Sequence, residues 1–202
     1  MQKLKKIETI EFPTLFGDFD LTAYETNYEN QPNMRYVFVI TNKKISFPPT
    51  IRIHSECILS EIFKSTHCDC REQLELGLEM VAEKNGILFY LDQEGRGHGI
   101  INKIHELKKQ EEGLDTVEAS EILHLEVDQR SYEVVADILK EMHIEEVHLA
   151  TNNPRKIKCL EQNEIKVSGR ISAEVEPNKH NIKYLETKKK KLGHLLTKYI
   201  RD

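Results

Sequence analysis

Two periodicities divide the chain. Over the first fifty residues, apolar positions fall in short aromatic and β-branched runs, "TIEFPTLFGDFDLTAYE" and "MRYVFVI", broken by turn residues. That pattern predicts strands, with "NYENQPN" as an exposed loop between them. From Arg71 the period lengthens. Leu74, Leu78 and Val81 recur at helical spacing, and "KNG" closes the helix in the manner of a glycine C-cap. "ILFYL" (Ile87 to Leu91) is an apolar run of strand length, followed by the loop "DQEGRGHG". Helical stretches run from about Ile100 to Glu112 and again after "DQRSY", where Val134, Val135, Ile138, Leu139 and Met142 form the apolar stripe. "VHLA" reads as a second buried strand. "TNNPRK" opens a further helix, with Asn153 as N-cap and Pro154 at the first helical position.

The recurring strand–loop–helix order predicts an α/β fold with largely parallel strands. A β-rich segment (residues 1–50) precedes the α/β part (51–202) of a single domain, with no repeat or linker between them. In such sheets ligands bind at the carboxyl ends of strands, where both "DQEGRGHG" and "TNNPRK" fall.

Composition changes this picture only by exclusion. No apolar run approaches the roughly 20 residues of a membrane span, and "MQKLKKIETIEF" has no apolar core of a secretory signal. The expectation is a cytoplasmic protein with no membrane partner. A net charge of −5 argues against a nucleic-acid partner, but a small polyphosphate needs only a local basic pocket. The lysine run Lys188 to Lys191 fits a solvated helix face better than such a pocket.

Four cysteines are too few for a disulfide scaffold and read as reduced thiols. Three of them, Cys57, Cys68 and Cys70, fall within "CILSEIFKSTHCDC", one short of a closed tetrahedral zinc site. His54 or His67 could complete a structural site. Three thiolates alone would leave a position for water, which zinc brings toward a neutral pKa. Buried, unliganded cysteines are the plain alternative. "RIHSE" sets His54 and Glu56 beside this group, although by itself it reads as a surface strand. The amides of "EGRGHG" and Arg96 suit an anion, or form a simple turn. In "DQRSY", Asp128 reads as an N-cap with Arg130 incidental. The hydroxyl, amides and Lys156 of "TNNPRK" suit phosphate or a purine edge, or capping alone.

Taken in order, "FPTLFGDF", "RIHSEC", "CDCREQL", "QEGRG", "DTVEA", "TNNPRK" and "NKHNIKYLETKKKKLGH" closely resemble the GTP cyclohydrolase II family, nearly end to end. The resemblance implies a three-layer α/β fold, a homodimer, a catalytic zinc, and magnesium with the GTP phosphates. Cys57, Cys68 and Cys70 would hold the zinc, whose water attacks guanine C8. The reaction releases pyrophosphate and formate. Asp128 would be the proton acceptor and Arg130 the nucleophile toward the α-phosphorus. Arg52, Ile53, His54, Ser55, Glu56, Gln73, Glu94, Gly95, Arg96, Thr116, Thr151 and Lys156 match the family's GTP-binding positions. A protonated guanidinium is a poor nucleophile, so either Asp128 acts as a base or Arg130 stabilises charge at phosphorus.

Some positions depart from the family pattern. Leu107, in "ELKKQEEGLDT", stands where the family has tyrosine. Leucine cannot hydrogen-bond a reacting water or a formamide, so the expected product retains its formyl group unless Tyr132 or Tyr90 compensates. Glu133 and Val135 replace glycines, Asp137 replaces glutamine, and His98 stands where isoleucine is common. These changes predict a reshaped phosphate site. Two other functions fit the same residues: zinc-dependent hydrolysis of another purine or pyrimidine nucleotide, and a non-catalytic nucleotide-binding regulator.

Overall fold

A computed structural model describes residues 3–197. The N-terminal run forms an antiparallel meander of β1 (Leu4–Thr14), β2 (Gly17–Thr26) and β3 (Tyr36–Asn42). There follow β4 (Thr50–Ser55), α1 (Ile58–Glu61), α2 (Cys70–Lys84), β5 (Ile87–Leu91), α3 (Gly99–Glu111) and α4 (Thr116–Ile122). The remainder comprises α5 (Glu133–Glu141), β6 (Glu146–Ala150), α6 (Pro154–Gln162), β7 (Lys166–Ile171) and α7 (Ile182–Lys190).

Among the described residues all seven strands share one sheet, in the order β1-β2-β3-β5-β4-β6-β7. The β-rich segment is therefore continuous with the rest, because β3 pairs antiparallel with β5. Only β5, β4, β6 and β7 run parallel, so the sheet is mixed where largely parallel strands were expected. The reason lies in the connections. The β1–β2 hairpin turns between Thr14 and Gly17, whereas parallel neighbours need a long crossover, here supplied by helices.

Helices cover both faces. Along β5, Ile87, Phe89 and Leu91 enter one core with Val134, Val135, Ile138 and Leu139 of α5 and Leu160 of α6. Leu88 and Tyr90 point the other way, toward Leu74, Leu78 and Val81 of α2. Burial on two faces explains why "ILFYL" is apolar without alternation. It also corrects the surface-strand reading of "RIHSE": β4 lies between β5 and β6, and Thr50 to His54 are all buried. Arg52 and His54 go into the interior with it.

Asn153 caps α6 as predicted, its side chain accepting from the Arg155 amide at 2.9 Å with Pro154 next. At the end of α2 the left-handed residue is Asn85 (φ 50°, ψ 52°), not a glycine; asparagine tolerates that region. Gly86 answers a different demand, since a Cβ there would stand 2.3 Å from the Thr50 carbonyl oxygen. Among the described residues no helix is long and apolar enough to cross a membrane. Gly86→Ala should destabilise the protein by about 2 kcal/mol through overpacking, lowering the urea midpoint with an unchanged slope. An unaltered midpoint would mean that β4 can move aside.

Candidate active site

The carboxyl end of β4 leads into Cys57, that of β5 into a tight turn (Glu94–Gly97), and that of β6 into Thr151 to Asn153. Because β5, β4 and β6 are neighbours, these three loops converge. Cys68 and Cys70, at the start of α2, complete a cluster whose sulfur atoms all lie within 4.8 Å of one another. Cys57 Sγ and Cys68 Sγ are 3.6 Å apart. Tetrahedral zinc with bonds of about 2.3 Å sets its sulfurs about 3.8 Å apart, so the trio fits one face of such a site. Among the described residues no histidine or carboxylate joins it. His54 is turned to Glu61 (2.8 Å) and His67 to Ser65 (2.9 Å). The crowded sulfurs share protons. The hydrogen bond with Cys68 pushes the Cys57 thiol up to about 11, and the same contact holds Cys68 far below the usual thiol range.

Buried braces fix this cluster. Glu61 accepts from the Cys57 amide at 2.9 Å and from the Tyr90 hydroxyl at 2.6 Å. Lys103 of α3 donates to Cys57 Sγ at 3.0 Å and to Glu94 at 2.7 Å. The other Glu94 oxygen accepts from the Ile58 amide at 2.7 Å. Both Glu94 oxygens are thus engaged in tying α1 to α3. Gly95 and Arg96 take left-handed φ values of 57° and 55°, which for arginine costs about 1 kcal/mol. The turn carries the Arg96 guanidinium to Glu106 and Ser120, at 3.3 Å each.

Two cavities meet here. One, of about 100 Å³, opens onto the sulfurs and is walled by Glu56, Lys103 and Leu107. The other, of about 90 Å³, is lined by Arg52, Gln73, Thr151, Lys156, Lys188 and His194. Ser55, Cys70, Arg96, Arg130 and Tyr184 border both. The second cavity is rich in buried cations with neutral partners. Arg52 donates to the Ala150 carbonyl (3.0 Å) and to Gln73 (2.6 Å), while its buried Nε has no partner. Burial lowers its pKa to about 10. Lys156 donates to the Ile53 carbonyl at 2.8 Å and lies 5.2 Å from the centre of the Tyr132 ring. Burial, then Arg52 and Arg130, pushes its pKa well below the usual lysine value. Ile53 contributes only its carbonyl, its side chain being in the core. Thr116 lines neither cavity; its carbonyl accepts from Ser120 at 3.1 Å.

Asp128 holds Arg130 through two contacts of 2.8 Å, and Arg155 approaches the same carboxylate at 2.6 Å. Asp128 is not an N-cap, because α5 begins after Tyr132. Burial alone would raise the Asp128 carboxyl, but Arg130 and Arg155 hold it well below the carboxylate range. Burial opposes the charge on Arg130, yet Tyr132 and Asp128 keep it firmly protonated.

The departures from the family pattern separate in space. Asp137 accepts from the Tyr28 hydroxyl at 2.5 Å, Glu133 pairs with Lys3 at 3.2 Å, and Val135 is in the core. None of them lines either cavity, nor does His98, which meets the Glu126 carbonyl at 2.7 Å. Leu107 does line the sulfur cavity. Tyr90 is held by Glu61, and the buried Tyr132 hydroxyl has no partner; neither lines that cavity, whereas Tyr184 does. Sequence reasoning missed Glu61, Lys103, Tyr184 and His194. It also treated Lys188 as solvated, although Lys188 pairs with buried Asp69 at 3.0 Å. Glu61, four residues after Cys57, carried the one usable signal.

Asp128→Asn should cost about 3 kcal/mol at neutral pH by leaving Arg130 without its counter-charge. The Asp128 pKa is depressed in the fold, so its contribution is present above the unfolded value of about 3.9 and is lost as pH falls through the folded value. Urea midpoints of the two proteins should differ at pH 7 and converge under strong acid. A difference that persists in acid would assign the cost to packing.

The GTP cyclohydrolase II family model matches residues 5–172. A protein of Campylobacter hominis named GTP cyclohydrolase-2 is 41% identical over 186 residues, covering 92% of each chain. The riboflavin biosynthesis protein RibBA of Bacillus velezensis is 43% identical over 190 residues, 93% of this chain and 47% of that one. Its counterpart in Endomicrobium trichonymphae is 39% identical over 196 residues, 96% of this chain and 48% of that one. The chain thus spans about half the length of these RibBA relatives. The extent of the match and the identity carried across it show that this chain belongs to the GTP cyclohydrolase II family.

Proposed function

We propose that the chain hydrolytically opens the imidazole ring of the guanine of GTP and releases pyrophosphate. One observation carries the reading: a trio of thiols with no fourth protein ligand among the described residues lines one cavity, which shares Cys70, Arg96 and Arg130 with a second that holds buried cations without carboxylate partners. A purine base reaches toward the sulfurs while its phosphates lie among the cations. Cys57, Cys68 and Cys70 would hold zinc, which when bound supplies Lewis acidity and a water of near-neutral pKa. Magnesium would accompany the phosphates.

The chain's own residues bind and orient. Arg52, Thr151 and Lys156 take the phosphates, and an anion would give the buried Arg52 Nε its missing partner. The protonated state of Arg130 favours charge stabilisation at phosphorus over nucleophilic attack. Asp128, ionised and engaged by two arginines, orients Arg130 and is a poor base at neutral pH. Leu107 gives the sulfur cavity an apolar wall, so the formyl carbon stays on the product. The relatives named for riboflavin biosynthesis support a place in that chemistry. We extend to the chain the homodimer and cytoplasmic location expected of the family.

Mass spectrometry of products from GTP, magnesium and zinc-loaded protein tests this reading. The expected products are pyrophosphate and a formyl-retaining pyrimidine, with formate appearing in Leu107→Tyr. Stoichiometric formate from the wild type would remove the role given to Leu107. Intact GTP, with about one zinc bound per chain, would remove GTP as substrate. Stripping the metal with a chelator should abolish turnover, and zinc should restore it.

A further inference from the structure

The lysine run near the C-terminus divides by facing. Tyr184 and Lys188, four residues apart on α7, both line the cation cavity, as that spacing on one helix face allows. The Lys188 side chain is 13% exposed, and its Nζ lies 4.3 Å from the Tyr184 ring centre. Asp69, its partner, also accepts from Gln73, which in turn accepts from Arg52. Lys188 is thus joined through two side chains to a cation of the central strand. His194 follows into the same cavity.

The charges that face this cavity do not balance. Arg52, Arg96, Arg130, Lys156 and Lys188 line it. Arg96 is held by Glu106, Arg130 by Asp128, and Lys188 by Asp69, but Arg52 and Lys156 have carbonyl and amide partners only. The mutual repulsion is visible at His194, which burial and then Lys188, Arg130 and Lys156 hold down to about 3. The segment is also thinly fastened. Its buried apolar side chains, Leu185 and Leu196, form a cluster apart from both cores. Polar ties do the rest: the Leu195 amide to the Asn152 carbonyl at 2.8 Å, Thr197 to Glu174, and Lys191 to Asp115. Docking α7 therefore gives Lys188 one carboxylate, Asp69, in a cavity where Arg52 and Lys156 have none, with little apolar gain beside it, and a polyanion there would add its own attraction for Lys188.

We infer that Lys188 is a phosphate-binding residue of the nucleotide site and that anion binding draws the α7 segment onto the body of the protein. This rests on the reading above, in which the second cavity takes the phosphates.

The test is calorimetric titration of the full chain with inorganic triphosphate. Lys188→Gln should weaken binding about tenfold or more, the loss expected for one charged hydrogen bond. Lys190→Gln, which removes the same charge from an exposed position of the same helix, should stay within about twofold, since exposed charges contribute little. Lys188→Arg keeps the charge and the tie to Asp69 and should stay within about threefold. Trypsin cleavage in the lysine run of the wild type needs no variant and should slow when triphosphate is added. It decides the matter if Lys188→Gln does not fold. Wild-type affinity in Lys188→Gln, or cleavage indifferent to triphosphate, overturns the inference and leaves the phosphate cavity standing. A wild type that binds neither triphosphate nor GTP removes both.

Discussion

A buried strand that carries polar side chains must find partners for them inside the protein, because an unpaired polar group in the interior costs more than its hydrogen bond would return. Strand β4 lies under this constraint. It is central in the sheet and carries Arg52 and His54 on one face. Each recruits a chain of contacts. Arg52 engages Gln73, Gln73 engages Asp69, and Asp69 engages Lys188. His54 engages Glu61, which holds the Cys57 amide and the Tyr90 hydroxyl. The first chain builds the cation cavity and the second sets the first thiol of the sulfur cluster. Both halves of the site therefore descend from two residues of one strand.

The two halves also have opposite electrostatic character. The sulfur side gathers groups that become anionic and supports them with Lys103. The other side keeps Arg52 and Lys156 buried without carboxylate partners. Such an arrangement is costly in the empty protein and favourable once a ligand brings the missing negative charge, which is the physical basis of the polyphosphate site proposed above. Arg130 stands on the border of the two cavities. Asp128 accepts from its guanidinium, and Arg155 donates to its carbonyl at 3.2 Å.

Sequence differences of similar apparent weight have very different consequences. Asp137 introduces a charge near the phosphate motif, yet it is absorbed by Tyr28 on the far side of α5. Leu107, an aliphatic side chain where the family pattern has a tyrosine, forms part of the wall facing the sulfurs. Adjacency along the chain misjudged Asp137, because residues on one helix turn point to opposite sides.

Local patterns were enough to establish every strand but β7, most helices, the Asn153 cap and the three thiols, since periodicity, capping and ligand chemistry act over a few residues. They also placed "DQEGRGHG" and "TNNPRK" at strand ends. Only the tertiary structure decided that β3 joins β5, that β4 is buried on both sides, and that α7 returns to the cation cavity. Those outcomes depend on contacts between residues far apart in the chain. Asp69 and Lys188, 119 positions apart, form one buried pair, and nothing in either neighbourhood along the chain encodes the other.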